Sequence, residues 1–120
     1  MDTVGVPVTA QAPDFPANMN MLVFPSGGLG LDELETLNLA QVKQLAYRHK
    51  LNHGRVALPA GEALYFSYRI KLGSLGLIGE IQYLLVSGDK QYVLSVTGLA
   101  SDPTLADVAK GMADTFEILP

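Results

Sequence analysis

The chain of 120 residues carries twelve acidic and eight basic side chains, which give a formal net charge of −4. Its length suits one domain over residues 1–120, and 48% hydrophobic with 17% charged residues excludes a disordered chain. The Lys and Arg residues are scattered and form no basic face, so the sequence does not predict a nucleic-acid partner. No apolar run approaches the roughly 20 residues that cross a bilayer. The absence of cysteine excludes disulfides and thiol chemistry.

The chain begins with a short irregular segment over residues 1–17, which three prolines interrupt. Residues 4–9 are predicted as an irregular edge strand, because proline cannot donate to a central ladder. Residues 18–24 form a regular strand that ends at a proline. The glycines of residues 27–30 lack the Lys-Ser/Thr ending of a phosphate-binding loop, so they predict a flexible connection.

A first helix is predicted from Asp32, which acts as the N-cap with Glu35 three residues later, to about His49. Acidic residues in a first helical turn, here Asp32, Glu33 and Glu35, are ordinary partners of the helix dipole. Apolar residues at helical spacing predict one buried face. They are Leu34, Leu37, Leu39, Val42, Leu45 and Ala46.

The end of this helix holds the densest basic group of the chain, Lys43, Arg48 and Lys50. Cations complement the dipole at a helix C-terminus, which predicts a structural role for the group. Residues 52–54, Asn-His-Gly, are predicted to end the helix with positive φ angles. The two histidines at 49 and 53 would chelate a metal only if the helix continued, so no metal site is predicted.

The remaining elements are strands and a closing helix. Residues 55–58 return to the sheet, and residues 62–71 alternate between two faces. Residues 78–86 and 91–97 form a hairpin. Asp102 at the N-cap and Pro103 at the first helical position then open a helix that ends near Phe116.

The apolar face of the closing helix comprises Leu105, Val108, Ala109, Met112 and Phe116. Gly111 is predicted to permit close approach of the helix to the sheet. Antiparallel strands with two helices make the chain an α+β protein.

Several of these segments resemble the PsbP/Mog-like superfamily, which includes DcrB/LpqN-like domains. They are residues 18–23, 31–34, 61–65, 91–97 and 113–118. The resemblance covers about residues 15–118 and implies a core over residues 18–118. In that core an antiparallel sheet is flanked by helices on both sides, an α/β/α sandwich. The segment before residue 18 is shorter than in such relatives, which fits a compact variant or a longer precursor with an export signal.

The resemblance also implies non-enzymatic work, since relatives are extrinsic, transport or cell-envelope proteins. We therefore expect a non-catalytic accessory module that binds a protein partner, in an exported or membrane-associated setting, with no catalytic residue, cofactor or metal. The strand face with Tyr65, Arg69 and Lys71 is the predicted contact surface, because an aromatic beside cations is common at interfaces. A second candidate surface is the loop over residues 27–30.

The alternative function is that of a small-ligand carrier. Such a protein would hold its ligand in an apolar pocket between sheet and helices. The aromatic side chains predicted to line that pocket are Phe24, Phe66, Tyr68 and Tyr83.

Overall fold

The computed structural model describes residues 2–6 and 18–116 of the chain. Six strands form one antiparallel sheet in the order β1-β2-β6-β5-β4-β3. The strands are β1 (Asp2–Val6), β2 (Asn18–Pro25), β3 (Leu51–Leu58), β4 (Gly61–Leu72), β5 (Gly76–Ser87) and β6 (Lys90–Leu99), and the helices are α1 (Leu31–Leu45) and α2 (Leu105–Thr115). Short 3-10 turns at Tyr47–His49 and Gly73–Leu75 complete the described elements. The predicted α+β class is confirmed.

Most strands lie close to the segments predicted for them along the chain. The β5–β6 hairpin closes between Ser87 and Lys90, where Gly88 has a φ of 62°. The predicted N-terminal strand lies at an edge of the sheet, paired only with β2 among the described residues. It covers Asp2–Val6, and the rest of the prediction, residues 7–9, lies outside the described residues.

One face of the sheet packs against α2, and we call these residues the α2 layer. Its members are apolar and almost wholly buried, as the alternation of β5 and β6 requires. They include Ile81, Tyr83, Leu85, Leu94 and Val96 from the sheet and Leu105, Ala109 and Ala113 from the helix. Burying one such large side chain stabilises a fold by about 1.5–3 kcal/mol, so this layer contributes strongly to stability.

The start of α2 differs slightly from the prediction. The helix begins at Leu105 rather than at Pro103, and the Asp102 carboxylate accepts hydrogen bonds from the backbone N–H and the hydroxyl of Thr104. These bonds lower the pKa of Asp102. Asp102 therefore orders the turn before the helix rather than capping its first turn.

The glycine that permits close approach lies on the sheet and not on the helix. A Cβ atom at Gly111 would meet no atom within 4 Å, so the prediction for Gly111 is wrong. A Cβ atom at Gly79 would lie 2.7 Å from Cδ2 of Leu105. The first turn of α2 therefore packs on the bare backbone of β5.

The opposite face packs against α1, and we call these residues the α1 layer. Its buried members are Leu34, Val42 and Ala46 with Leu64, Phe66, Tyr68 and Leu84 of the sheet. Helices thus flank the sheet on both sides, as predicted. Leu37 and Leu45 are 52% and 59% exposed, so their assignment to the core was wrong. They lie on the flank of α1 away from Asp32 and Glu35, which reach toward β3.

Both ends of α1 are displaced from their predicted positions. The N-cap is Gly30, whose N–H donates to the Glu33 carboxylate (3.1 Å), so the Asp32–Glu35 capping box is not formed. The helix ends at Leu45, and the positive φ angles fall at Arg48 and His49 (both 56°).

Residues 52–54 are not a helix terminus. They belong to β3, which begins at Leu51. The chain therefore turns from helix to strand earlier than the Asn-His-Gly sequence indicated.

Candidate functional site

A cleft of about 980 Å³ opens at the end of the sheet where β3 and β5 begin and β6 ends. Side chains of α1, of the Tyr47–His49 turn and of β3 and β4 line one part of it. The segment that leads into α2 lines another part. Apolar surface comes from Leu39, Leu51, Ile81 and Leu105. The volume lies in the range of ligand-binding clefts.

The charge of the cleft lining is opposite to that of the whole chain. Lys43, Lys50 and Arg69 line it against only two acidic residues, Glu80 and Asp102. In the whole sequence the ratio is reversed, with eight basic and twelve acidic residues. Both histidines, at 49 and 53, also line the cleft. An anionic group in this cleft would therefore meet more basic than acidic side chains.

The Tyr47–His49 turn has an unusual backbone conformation, which positions the side chains around it. Arg48 and His49 both adopt left-handed φ angles, a conformation that costs roughly 1–3 kcal/mol in a non-glycine residue. Nδ1 of His49 donates to the backbone carbonyl of Lys43 (2.8 Å), which ties the turn to the end of α1. The Arg48 guanidinium stacks 5.2 Å from the Tyr47 ring centroid. The turn therefore holds His49 and Lys50 at the cleft and sends Arg48 elsewhere.

An ion-pair network fixes α1 over β3 beside the cleft. The Arg55 guanidinium pairs with Asp32, with Glu62 (2.8 Å) and with Glu35 (3.5 Å). The second oxygen of Glu35 lies 3.5 Å from Nδ1 of His53. These contacts link the helix to both strands of the β3–β4 hairpin.

Two polar side chains of the central strands, Glu80 and Tyr68, line the cleft beneath α1. The Glu80 carboxylate accepts hydrogen bonds from the Thr97 hydroxyl (2.5 Å) and from the Gln82 amide (3.5 Å). Burial nevertheless raises the pKa of Glu80 above its ordinary value. Burial and the neighbouring Glu80 charge raise the pKa of Tyr68 to about 12, so its hydroxyl remains a donor. A half-buried carboxyl and a buried phenol at one cleft provide hydrogen-bonding specificity for a bound group.

The predicted contact residues on β4 are divided by the structure. Arg69 lines the cleft, and Lys71 is exposed two residues further along the same face. Tyr65 is partly buried in the α2 layer, where its ring centroid lies 5.4 Å from that of Tyr83. Cover by α2 thus removes the aromatic residue from the surface and leaves the two cations.

The aromatic residues predicted for an apolar pocket do not form one. Phe66 belongs to the α1 layer and Tyr83 to the α2 layer, on opposite faces of the sheet. Phe24 is half-buried and does not line the cleft. Only Tyr68 of the four does, so the observed cleft is a different site from the predicted pocket.

The second predicted surface, the loop over residues 27–30, lies at the other end of the sheet. Its neighbour Ser26 donates its backbone N–H to the carbonyl of Asp89 in the β5–β6 turn (2.7 Å). Gly27 and Gly28 have φ angles of 66° and 77°, which explains the glycines by the turn alone. The loop and the cleft are therefore separate surfaces.

Sequence reasoning found the basic group near the end of α1 but assigned it to the helix dipole. Lys43 does lie in the last turn of α1, and it also lines the cleft with Lys50 and with Arg69, which is distant in sequence. The histidines, considered as metal ligands, lie in a turn and in β3. Within residues 2–6 and 18–116, His, Asp and Glu form no group of three with metal-binding geometry.

Comparisons with known proteins bear on the fold. Neither a protein-family model nor a curated protein matches the chain. Its structure is similar to that of PA94, a protein of unknown function from Pseudomonas aeruginosa, with a TM-score of 0.77 and 16% identity over 99% of this chain and 84% of that one. It is also similar to LpqN, involved in cell envelope biogenesis of Mycobacterium tuberculosis, with a TM-score of 0.61 and 14% identity over 99% and 79% of the two chains.

In the described part of the chain, neither helix has the length and apolar character needed to cross a membrane. At such identities the likeness to PA94 and LpqN concerns the fold alone. The chain has the α+β fold of these two proteins, and that fold agrees with the predicted DcrB/LpqN-like resemblance.

Proposed function

We propose that this protein is a non-catalytic accessory module of the PsbP/Mog-like superfamily that binds an acidic segment of a protein partner in the cleft. The observation that carries the proposal is the reversal of charge, since a net acidic chain gathers Lys43, Lys50 and Arg69 at one cleft. Cations held around a concave surface favour an anionic partner and speed its encounter. The likeness to LpqN supports a setting in the cell envelope.

A labelled peptide of ten glutamates tests the cleft directly. We expect it to bind the protein at low ionic strength and to weaken as salt is added, because exposed charges are screened. Lys50→Glu and Arg69→Glu should each raise Kd roughly tenfold, since an attraction becomes a repulsion. Fluorescence anisotropy measures Kd for the native protein and for both variants.

Lys90→Glu is the matched control, because Lys90 is exposed at the start of β6, at the opposite end of the sheet from the cleft. All three substitutions change the net charge by the same amount. Kd for Lys90→Glu should stay within about twofold of the native value. Equal weakening by all three would show a response to net charge only, and absence of binding would overturn the proposal.

Carriage of a small anionic ligand is the second candidate function, and the specific observation that favours it is the polar group inside the cleft. Glu80 and Tyr68 offer an acceptor and a donor to a ligand whose anionic part meets Lys43 or Lys50. Native mass spectrometry of the full-length gene product from its own cells distinguishes the two. A small-molecule mass that Lys50→Glu removes supports the carrier, whereas a complex with a polypeptide supports the accessory module.

A further inference from the structure

Strand β3 is an edge of the sheet that none of the described residues pairs with on its outer side. Its order in the sheet places it at one end, next to β4 alone. The pairing runs without a bulge from Leu51 opposite Tyr68 to Leu58 opposite Gly61. The strand therefore presents eight residues of regular, extended backbone at the sheet edge.

Edge strands are usually protected against further pairing, and β3 carries only one charged residue of the protecting kind, Arg55. Its guanidinium is already held by Asp32, Glu35 and Glu62. Proteins shorten such strands or place lysine, proline or a bulge in them. The sequence of β3, LNHGRVAL, contains neither lysine nor proline. The other edge strand, β1, is only five residues long. Of the two edges, β3 is the one suited to accept another strand.

The hairpin geometry indicates which groups of β3 are free to pair. Two residues separate Leu58 from Gly61, so these two residues close the hairpin as a hydrogen-bonded pair. Hydrogen-bonded and non-hydrogen-bonded pairs alternate along an antiparallel ladder. The backbone groups of His53, Arg55 and Ala57 consequently point away from β4, and all three residues are exposed.

The charge beside this edge determines what kind of strand fits it. Leu51, Asn52 and His53 line the cleft, so a strand laid along β3 continues into it. There it meets Lys43 and Lys50. A second copy of this chain is a poor occupant, because two-fold pairing centred on Arg55 would place this residue directly opposite Arg55 of the other copy. Like charges in directly opposite positions destabilise a strand pair.

We propose that an extended acidic segment of the partner adds to the edge of β3 as a further strand and places carboxylates in the cleft. The inference rests on the proposed function and specifies its binding mode. Main-chain hydrogen bonds to β3 would supply affinity, and the cations of the cleft would supply the preference for acidic sequences.

Binding of a ten-residue peptide of alternating Glu and Val to the full chain tests the inference. Two changes, one in the peptide and one in the protein, remove backbone amide donors from the proposed strand pair. N-methylation of consecutive central residues removes the amide donors from both edges of the peptide, and we expect Kd to rise at least tenfold. On the protein, Ala57→Pro removes an outward amide while leaving the β3–β4 bonds in place. It should raise Kd at least tenfold, and Ala57→Ser, the matched control, less than twofold.

The outcomes separate the binding mode from the function. Equal binding of the methylated and unmethylated peptides overturns strand addition and leaves the acidic cleft intact, provided the ten-glutamate peptide binds. If neither the alternating peptide nor the ten-glutamate peptide binds, strand addition and the proposed function both fail. A dimer seen by light scattering that Ala57→Pro abolishes would identify a second copy as the occupant and overturn the acidic partner. The methylated peptide keeps the test valid even if Ala57→Pro does not fold.

Discussion

The two faces of the central hairpin are built for different purposes. On the α2 side of β5 and β6, Tyr83, Leu94 and Val96 are at most 4% exposed. On the α1 side of the same strands, Glu80 and Thr97 face each other and are only half-buried. Because successive side chains of a strand point to opposite faces, the two sets come from alternate residues of the same strands. One face is therefore a closed apolar core, and the other combines buried Leu84 with polar groups, of which Glu80 lines the cleft.

The two helices repeat this contrast. Helix α2 places Ala109 and Ala113, both without measurable exposure, against the sheet and packs closely. Helix α1 leaves Leu37 and Leu45 exposed. We infer that α2 packs closely against the sheet, whereas α1 covers a buried apolar layer and leaves Leu37 and Leu45 uncovered.

Truncating one leucine on each side of the sheet gives the largest expected difference. Leu94→Ala removes a side chain that is 2% exposed from the α2 layer and should cost about 2–5 kcal/mol in the free energy of unfolding. Leu45→Ala removes one that is 59% exposed from α1 and should change stability by less than about 0.5 kcal/mol. Urea denaturation of both variants measures the two values.

Comparable losses for the two variants would contradict the exposure of Leu45 on α1. Such a result would mean that Leu45 is buried in solution by a contact outside the described residues or by another molecule. Sedimentation of native protein and Leu45→Ala at matched concentrations would separate these two explanations.

A pair of glycines tests how closely α2 packs, with a smaller expected effect. In Gly79→Ala the added methyl group would lie 2.7 Å from Cδ2 of Leu105, so either that side chain moves or the helix shifts. The cost should be about 1–3 kcal/mol. Gly111→Ala adds a methyl group that meets nothing within 4 Å and should stabilise α2 by up to about 1 kcal/mol. Thermal unfolding should therefore show midpoints that move in opposite directions.

If Gly79→Ala were neutral, the Leu105 side chain would have room to rotate, and the α2 layer would be looser than its burial indicates. Leu105→Ala combined with Gly79→Ala provides the check. Removal of the clashing side chain should abolish most of the additional cost of the Gly79 methyl group, which a double-mutant cycle measures directly.

Local rules predicted the central strands of the sheet well. Strict alternation gave the faces of β4, and a short turn sequence gave the β5–β6 hairpin. The stripe on α1 was less informative, because Leu37 and Leu45 fit helical spacing yet the sheet offers no cover on that flank. Periodicity shows which residues share a helix face but not how wide a face its neighbour covers.

The cleft was beyond sequence reasoning because distant segments build it. Lys50 and Arg69 come together only through the pairing of β3 with β4, which begins at Leu51 opposite Tyr68. The left-handed residues that turn the chain there are Arg48 and His49, and arginine is not a type that favours this conformation. Asn52 and Gly54, which do favour it, are extended instead. Tertiary contacts therefore override the local signal at the site that matters most for function.

The polar side of the central strands should respond to pH through Glu80, with the smallest effect of the three comparisons. Burial raises its pKa more than the bonds from Thr97 and Gln82 lower it. The folded state thus favours the protonated carboxyl, whose stabilising contribution is complete below the pKa of the unfolded chain. That contribution is lost as pH rises through the raised folded pKa. Glu80→Gln cannot ionise, so it should be more stable than the native protein at pH 8 by about 1 kcal/mol.

Thermal midpoints measured from pH 4 to pH 8 test this sign, with Asp107→Asn on the exposed face of α2 as the control. The native and control curves should run parallel and fall relative to that of Glu80→Gln as pH rises. Parallel curves for all three proteins would show that Glu80 is solvated like a surface carboxylate. The α1 side would then be an open polar surface, and the contrast with the α2 layer would be one of exposure alone. A separation that grows with pH would instead identify a buried carboxyl that the fold retains at the cost of stability, as expected of a group kept for binding.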